Sequence, residues 1–460
     1  MADTQLDIQL ELAADGPRRT ALEVAIRSAI RSGRLAEGTA LPSSRAMAVD
    51  LGLSRSTVVA AYEQLNAEGY LRAEHGSATR VARFRAPPTV DDEPDPFGPA
   101  PLHDFRPGEP DASSFPRTRW LRSVKRVTNG APDSAFGYPD PRGVAEFRSI
   151  LAGYLGRTRS VEADQGAIRV VGGYAAALGF VAEMLRHRGV ERIGVEDPTL
   201  PMHVQLLRAA GLRTVPVAVD EGGIDVDRLR ASDVGAVVVT PAHQYPTGAT
   251  LGSERRTALV DWARERNAWI IEDDYDGEYR YDRRPVGALQ GLGPDRVIYV
   301  GTASKSLTPA VRLGWMVVPE PLRADLMRVT NLRSMVSTID QLALTDFIER
   351  GDFDRHVRQM RVRYRRRSDA LRSTLAEVAP WLALGDGAAG LHVMARIATD
   401  RLDETTILTA SDAASVGLFG LMTHHRSTAA GPGFSIGFSR PSEHHFPTAL
   451  ERLAGVLAAL

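Results

Sequence analysis

The chain has 460 residues, 43% of them hydrophobic and 25% charged, with a net charge of −1 and no cysteine. This composition predicts a globular protein of two or three domains, excludes disulfides, thiolate catalysis and cysteine-based zinc sites, and by its overall charge points to no partner. The chain lacks an apolar run near the roughly 20 residues that span a bilayer and lacks a basic-then-apolar start, which predicts a cytoplasmic protein without membrane contact.

The N-terminal region has the pattern of three short helices, which we expect at residues 18–30, 44–51 and 55–68. Ser43 and Ser54 are suitable N-caps for the second and third helices, and Gly52 is suited to end the second. The turn from Gly52 to Ser54 gives these two helices helix-turn-helix spacing. Residues 70–81 follow as a two-stranded hairpin that turns near Gly76, which predicts a wing.

Charge in this region favours DNA as the partner. Residues 17–85 contain 11 arginines and 6 acids, a net charge of +5 in a chain that is slightly negative overall. A positive region of this kind attracts phosphates. A small helical module that binds protein is the alternative, but the helix lengths, turn, wing and charge together favour DNA.

The segments L-P-S-S-R-A-M-A, L-S-R-S-T-V and A-Y-E-Q-L-N-A-E-G-Y-L resemble the GntR family of winged regulators. This resemblance implies a winged helix-turn-helix that binds double-stranded operator DNA. Arg45 and Arg72 are then expected on phosphates, and Arg55 and Thr57 at base edges. The residues expected to contact DNA are Ser44, Arg45, Arg55, Ser56, Thr57, Tyr62, Arg72, Gly76 and Arg80.

A Pro-rich, acidic stretch separates this region from the rest of the chain and predicts a semi-extended linker. Beyond it, β-branched runs alternate with long amphipathic stretches, which indicates a mostly parallel sheet covered by helices. From about Val329 the pattern changes to long helices and a smaller α/β lobe. We therefore expect a DNA-binding domain at 1–84, a linker at 85–103 and an α/β effector domain at 104–460.

Two predicted strand ends in the α/β region are suited to form a pocket. Residues 270–275 form a buried strand that runs into acids and a tyrosine, and open α/β sheets bind ligands at such carboxyl ends. Lys305 follows 32 residues after Asp273, at the end of another strand. Of the 56 basic residues only Lys125 and Lys305 are lysines. Unlike arginine, a buried lysine can lose its proton and form an imine.

Pyridoxal 5′-phosphate (PLP) needs the groups found here: a lysine for its aldehyde, a carboxylate for its ring nitrogen, a phenol for its ring oxygen and donors for its phosphate. A glycine turn at a predicted helix N-terminus, residues 172–175, adds an anion site. The residues expected to bind PLP are Lys305, Asp273, Tyr275, Arg312, Thr302, Ser304, Gly173, Tyr174, Ala175 and Tyr138.

Each of these pieces also has a simpler interpretation. The acids at 272–274 with Asp276 are typical of a magnesium site, and a lone lysine is usually a surface residue. The run G-T-A-S-K-S suggests a nucleotide-phosphate loop but lacks the second glycine before the lysine. Their order along one sheet favours PLP, and we expect no metal.

Residues from about Asp104 onward resemble fold-type I aminotransferases, and the whole chain resembles the MocR/GabR subfamily of GntR regulators. The matching segments are D-F-R-P-G-E-P-D, Y-P-D-P-R-G, T-P-A-H-Q-Y-P-T-G, E-D-D-Y-D-G-E-Y-R-Y and G-T-A-S-K-S-L-T-P-A-V-R-L-G-W. The resemblance implies PLP on Lys305, with Asp273 on its ring nitrogen, Tyr275 on its ring oxygen and Arg312 on its phosphate. It also implies a head-to-tail homodimer in which Tyr138 contacts the phosphate across the interface.

Two departures from the aminotransferase pattern concern the lining of the pocket. Tyr245 stands where aminotransferases have asparagine. Residues 196–200 lack the aromatic residue that commonly stacks on the PLP ring, so Leu200 or His203 is expected to cover it.

A third departure concerns the effector. Ser435 stands where aminotransferases have the arginine that binds a substrate carboxylate. Loss of this bidentate contact weakens ligand binding by several kcal/mol, because each charge-assisted hydrogen bond is worth about 1.5–3 kcal/mol. Arg426, with His424 and His425, is the nearest candidate to replace it.

We therefore expect a regulator, not an enzyme. It senses PLP, or an amino compound that forms an aldimine with PLP, and effector binding alters the placement of the DNA-binding modules. The missing arginine favours PLP itself as the signal, as in PdxR-type regulators of vitamin B6 synthesis. One alternative is a PLP-dependent aminotransferase with an accessory DNA-binding module. The other is a repressor whose large domain has lost PLP. A slow half-transamination is compatible with the regulator itself.

Overall fold

The computed structural model describes residues 17–72, 78–83, 100–281, 286–331, 333–385, 389–425 and 431–460. The chain divides into two compact units, Met1–Gly98 and Pro99–Leu460. Most of the expected linker lies outside the described residues, so the bounds 1–84, 85–103 and 104–460 stay a prediction. Within the described ranges no helix has both the length and the apolar character required to cross a membrane.

Where the structure describes it, the N-terminal unit contains three helices followed by a two-stranded antiparallel ladder. Its elements are α1 (Arg18–Arg31), α2 (Ser44–Asp50), α3 (Arg55–Ala67), β1 (Leu71–Arg72) and β2 (Arg80–Val81). The side chains of Ser43 and Ser54 accept hydrogen bonds from the backbone N–H groups of Ala46 and Thr57, as N-caps do. Gly52 has φ +63°, a conformation that favours glycine at the turn between α2 and α3. The expected turn of the wing at Gly76 lies outside the described residues.

The C-terminal unit contains an eight-stranded sheet and, in a smaller lobe, a four-stranded sheet. Its strands are β3 (His103–Asp104), β4 (Ile168–Val171), β5 (Arg192–Asp197), β6 (Arg213–Asp220), β7 (Gly223–Ile224), β8 (Ala236–Val239), β9 (Trp269–Asp274), β10 (Val297–Thr302), β11 (Gly314–Val317), β12 (Leu382–Leu384), β13 (His392–Ile397), β14 (Val416–Gly417), β15 (Phe419–Gly420) and β16 (Gly433–Gly437). Its α-helices are α4 (Arg117–Gly130), α5 (Ala145–Arg159), α6 (Tyr174–His187), α7 (Pro201–Ala209), α8 (Val226–Ala231), α9 (Ser253–Glu265), α10 (Arg323–Thr330), α11 (Thr338–Glu349), α12 (Asp352–Val378), α13 (Glu404–Ala413) and α14 (Phe446–Ala458).

The large sheet has the strand order β4-β11-β10-β9-β8-β5-β6-β7, and its central strands β10, β9, β8, β5 and β6 are parallel. Strands β8, β9 and β10 are buried along their whole length, because helices cover both faces of the sheet. The expected mostly parallel sheet is therefore confirmed, and with it the predicted fold class: a helix-turn-helix unit joined to an α/β unit with a smaller lobe.

Strand register brings the two chemically informative segments together. Strands β9 and β10 run side by side, with Asp273 opposite Val300. Both strands end at the same edge of the sheet, so Lys305, a few residues beyond β10, lies next to the acids that end β9. The smaller lobe pairs its strands in the order β12-β13-β16-β15 and packs them on α12 and α14 through a separate apolar core.

Candidate functional site

The first turn of α3 presents polar side chains at the end expected to meet DNA. Arg55 and Ser56 are exposed and Thr57 is half-buried. The Ser54 Oγ atom lies 2.8 Å from Ser56 Oγ and 2.7 Å from Thr57 Oγ1. The three hydroxyls form one network at a helix N-terminus, where backbone N–H groups and the helix dipole favour a phosphate. Arg45, exposed on α2, lines the same surface hollow as Arg55.

The other expected DNA contacts are distributed over the rest of the unit. Arg72 and Arg80 are exposed on the two wing strands, and Arg80 Nη1 donates to the Gly38 carbonyl at 2.8 Å. Ser44 is half-buried at the start of α2. Tyr62 is a correction: its side chain is 8% exposed and its hydroxyl donates to the Pro42 carbonyl at 3.0 Å. Tyr62 therefore belongs to the core of the unit and is not available to DNA.

A cavity of about 350 Å³ in the C-terminal unit collects most of the expected PLP residues. It lies at the carboxyl ends of the central strands. Of the ten residues expected to bind PLP, nine line it, namely Gly173, Tyr174, Ala175, Asp273, Tyr275, Thr302, Ser304, Lys305 and Arg312. Tyr138 does not line the cavity of its own chain, and its side chain is 94% exposed.

Lys305 extends into this cavity from the loop after β10. Its Nζ atom donates to the Gly108 carbonyl. Burial lowers the pKa of this amine, an effect that the nearby acids Asp273, Asp276 and Glu109 oppose. A lysine with a lowered pKa has a larger neutral fraction, and the neutral amine is the nucleophile.

Asp273 is 6% exposed, and burial raises the pKa of its carboxyl group. The His203 Nε2 atom lies 3.5 Å from Oδ2 of this carboxylate. The other oxygen, Oδ1, is buried and makes no hydrogen bond within the described part of the chain. The hydroxyl of Tyr174, whose ring lies 5.1 Å from that of His203, is buried without a hydrogen bond in the same ranges. Since buried polar atoms are normally paired, Oδ1 is suited to accept an N–H group of a ligand.

Tyr275 is held by a histidine that the sequence reasoning did not single out. His243 Nδ1 lies 2.9 Å from Asp276 Oδ2, and the Tyr275 hydroxyl lies 3.1 Å from both Nδ1 and the carbonyl oxygen of His243. An ideal Cβ added to Gly390 (φ +84°) would lie 1.9 Å from His243 Cε1. The backbone of Gly390, in the smaller lobe, therefore lies directly against the His243 ring, and only a residue without a Cβ atom fits there.

The opposite end of the cavity is suited to an anion. Gly173 (φ +107°) leads into α6, whose first-turn N–H groups have no partner within the helix. Thr302 Oγ1 donates to Ser304 Oγ at 2.9 Å. Arg312 has φ +50°, a strained conformation for a non-glycine residue and one that is common at functional sites. Its exposed guanidinium makes no hydrogen bond or ion pair among the described residues, so it is available to a phosphate.

The acids that suggested a magnesium site point in different directions. Glu272 accepts from the backbone N–H groups of Leu289 and Gln290, whereas Asp274 pairs with Arg159 at 2.6 Å. Asp276 pairs with His243. These carboxylates are therefore committed to separate structural partners and do not converge on one ion.

The wall facing Lys305 contains the departures seen in the sequence. Tyr245 and Leu200 line the cavity with His203, and Ser435 is fully buried on β16. His424 is buried, with Nε2 3.2 Å from the Tyr245 hydroxyl, and Nδ1 of the adjacent His425 lies 3.8 Å from Asp197 Oδ1. Arg426, expected as a replacement for the missing arginine, lies outside the described residues.

Comparisons with known proteins agree with both units. Residues 19–81 match the bacterial regulatory proteins of the gntR family, and residues 105–420 match aminotransferase class I and II. An archaeal alanine:glyoxylate aminotransferase has the same fold, with a TM-score of 0.71 and 24% identity over 77% of this chain and 90% of its own.

Relatives that match nearly end to end are transcription regulators. The probable rhizopine catabolism regulatory protein MocR of Rhizobium meliloti is 34% identical over 86% of this chain and 85% of its own. The HTH-type pyridoxine biosynthesis transcriptional regulator PdxR of Corynebacterium glutamicum is 32% identical over 92% of each chain. The chain therefore belongs to the MocR subfamily of GntR regulators: it is a DNA-binding transcription regulator whose helix-turn-helix unit is joined to a fold-type I aminotransferase-like domain.

Proposed function

We propose that this regulator responds to PLP, which is held on Lys305 and acts as the signal that alters operator binding. When bound, PLP supplies an aldehyde carbon that a lysine amine attacks. The observation that carries the proposal is the presence, in one cavity, of a half-buried lysine, an unpaired buried carboxylate oxygen and an arginine with no protein partner among the described residues.

The residues present fit this cofactor. Asp273 would hold the ring nitrogen in its protonated form through Oδ1. The Tyr275 hydroxyl, which donates to the His243 carbonyl oxygen without the cofactor, would turn its proton to the ring oxygen. The N-terminus of α6, with Thr302, Ser304 and Arg312, would hold the phosphate. A volume of about 350 Å³ is at the small end of the 300–1,000 Å³ typical of ligand pockets.

Two observations favour a sensor over an enzyme. Catalysis on amino acids requires a positioned substrate carboxylate, and Ser435 supplies no charge at the position where the aminotransferase pattern has arginine. The similarity to a pyridoxine biosynthesis regulator along 92% of the chain also supports PLP as the signal. An amino compound that reacts with bound PLP is the second candidate signal. Steady turnover between an amino donor and a keto acceptor would overturn the regulator-only proposal.

The dimer belongs to the same proposal. Tyr138 is 94% exposed, as expected of a side chain that serves the site of a second copy. In a head-to-tail homodimer it would add its hydroxyl to the phosphate end of the partner's cavity. Tyr138→Phe is then expected to weaken PLP binding without changing the oligomeric state measured by light scattering.

The two lysines of the chain allow a matched test of the covalent site. Purified apo-protein is mixed with PLP, the absorbance near the visible edge is recorded, and the adduct is reduced with borohydride and mapped by mass spectrometry. We expect one adduct at Lys305, its loss in Lys305→Ala, and its retention in Lys125→Ala, since Lys125 is exposed on α4. A colourless protein without an adduct at 305 would reject the proposal.

Operator affinity provides the test of the signal. DNA binding is measured for apo-protein, for protein with PLP alone, and for protein with PLP and a panel of amines. A change with PLP alone supports PLP as the signal. A change that appears only after an amine is added would reject it in favour of the second candidate.

A further inference from the structure

At the end of the cavity beyond Lys305, the side-chain donors of Tyr245 and His392 are already engaged. Among the described residues that line the cavity, the cations are Lys305 and Arg312, and both are assigned above to PLP. Of the two carboxylates that line it, Asp273 is assigned to the ring nitrogen, and Glu109 pairs with Arg440 at 3.0 Å. This end therefore offers a ligand negative or neutral surroundings.

The proton of Tyr245 is directed away from the cavity. His424 Nδ1 lies 2.9 Å from the Gly420 carbonyl oxygen, so Nδ1 carries the proton and donates to it. Nε2 of the same ring is then an acceptor, and it lies 3.2 Å from the Tyr245 hydroxyl, which donates to it. A phenol has a single proton, so Tyr245 presents only lone pairs to anything else in the pocket.

His392 cannot supply the missing donor. Its Nε2 atom lies 3.2 Å from the Pro246 carbonyl oxygen, so the proton is on Nε2 and is engaged there. Burial, together with the neighbouring His243 and His424, holds the pKa of His392 well below its usual value, and the ring is neutral. Its centroid lies 5.0 Å from that of Tyr245, so the two rings form one uncharged aromatic surface.

Ser435 completes this surface from behind. It is fully buried on β16, opposite Met394 of β13 and Phe419 of β15. A ligand carboxylate placed here would lose its hydration and meet no cation among the described residues of this surface. The one unpaired donor of the surface is the neutral Ser435 hydroxyl, and a single neutral hydrogen bond, worth about 0.5–1.5 kcal/mol, does not offset the burial of an anion. Burying an unpaired anion is strongly unfavourable.

On the basis of the proposed function, we propose that Tyr245, locked by His424, and Ser435 form a carboxylate-rejecting wall. The wall protects lysine-held PLP from amino acids and restricts any reacting amine to compounds without a carboxylate. This specificity suits a PLP sensor, because abundant amino acids would otherwise react with the signal and remove it.

Matched pairs of ligands test the wall in the unmodified protein. The PLP-loaded protein is titrated with three matched pairs of compounds: alanine and ethylamine, 4-aminobutyrate and butylamine, and tyrosine and tyramine. The shift of the PLP absorbance is measured for each compound. We expect each amine to act at a concentration at least about tenfold lower than its amino acid, since one charge-assisted hydrogen bond to a carboxylate is worth at least that factor. Equal responses within the pairs would overturn the inference while leaving PLP binding intact.

Two variants that should weaken the discrimination against carboxylates provide a second test. Ser435→Arg combined with Tyr245→Asn introduces a cation and the space for it, and is expected to reverse the preference toward amino acids. His424→Phe leaves the Tyr245 proton free to face the cavity. We expect this variant to reduce the preference for the amine over the matching amino acid. An unchanged preference in both variants, with the PLP band retained, would also overturn the wall. Absence of the band in the unmodified protein would reject the proposed function itself.

Discussion

Nε2 of His203 lies 3.5 Å from Oδ2 of Asp273, the carboxylate whose other oxygen is buried without a hydrogen bond in the described ranges. The histidine counteracts part of the rise that burial imposes on the pKa of Asp273. His203 thus favours the charged form of this carboxyl group, and Oδ1 is left for a ligand. A buried charge prepared in this way is typical of a binding site and not of a purely structural acid.

We expect Asp273→Asn to weaken PLP binding by about tenfold to a hundredfold, because one charge-assisted hydrogen bond is lost at nearly constant shape. The absorbance maximum of the bound cofactor should shift as well, since the ring nitrogen loses the anion that keeps it protonated. Titration of apo-protein with PLP measures both effects. Asp233→Asn, at a side chain that is 96% exposed, is the control. An affinity equal to that of the control would contradict the assignment of Asp273.

The helix-turn-helix predicts different outcomes for two arginines. Arg55→Ala is expected to cost about 1–3 kcal/mol on the operator and to relax specificity, because Arg55 is placed for base readout. Arg45→Ala should weaken binding to operator and unrelated DNA alike and should reduce the salt dependence, as the loss of a phosphate contact does. Fluorescence anisotropy at several salt concentrations separates the two. Identical effects of both variants on both DNAs would refute the division of roles.

A conservative substitution tests whether Tyr62 belongs to the core of the N-terminal unit and not to the DNA interface. Tyr62→Phe removes only the hydroxyl that donates to Pro42, so we expect a loss of about 1 kcal/mol in the free energy of unfolding of the N-terminal unit and unchanged affinity for DNA. Thermal unfolding and anisotropy measure the two quantities. A clear loss of operator affinity in a folded Tyr62→Phe protein would restore Tyr62 to the DNA interface.

Glu196 gives a prediction about pH. It is 3% exposed, and burial raises the pKa of its carboxyl to about 7, although Thr240 and Gln244 donate to it. In the unfolded chain the pKa of this carboxyl lies near its ordinary value of 4.5. Between these values the folded state binds more protons than the unfolded state, so the contribution of this group to stability falls as pH rises from about 4.5 to about 7.

Glu196→Gln removes that dependence. The difference in unfolding free energy between wild type and variant should therefore change by about 1–3 kcal/mol between pH 4.5 and pH 8, with the wild type relatively more stable at the acidic end. Glu254→Gln, on the exposed first turn of α9, should show no such change. A pH-independent difference for Glu196→Gln would show that its carboxyl titrates normally.

Much of this architecture was accessible from local signals in the sequence. Ser43 and Ser54 marked the starts of α2 and α3 because an N-cap needs only a side-chain oxygen and the next turn of backbone. The buried runs of β9 and β10 identified parallel strands, and the rule that ligands bind at carboxyl ends then grouped Asp273 with Lys305. The scarcity of lysine added a signal that most sequences do not provide.

The residues that were missed depend on contacts between distant segments. Tyr62 sits in a helix next to expected DNA contacts, but its helical face points to the core, which a motif alone does not reveal. His243 was present in the segment T-P-A-H-Q-Y-P-T-G, after β8 and next to β9 in the sheet. Its pairing with Asp276 and its position beside Tyr275 follow only once β8 and β9 are known to be neighbours.

The backbone of Gly390 lies directly against the His243 ring, with no space for even a methyl group between them. Gly390 is also tied to residues just after β9, through its N–H to the Tyr279 carbonyl and its carbonyl to the Tyr281 hydroxyl. An imidazole in such tight contact cannot shift without displacing the chain that enters β13. A ligand that repositioned Tyr275 and His243 would therefore have to displace the backbone at Gly390, and with it the start of β13 in the smaller lobe.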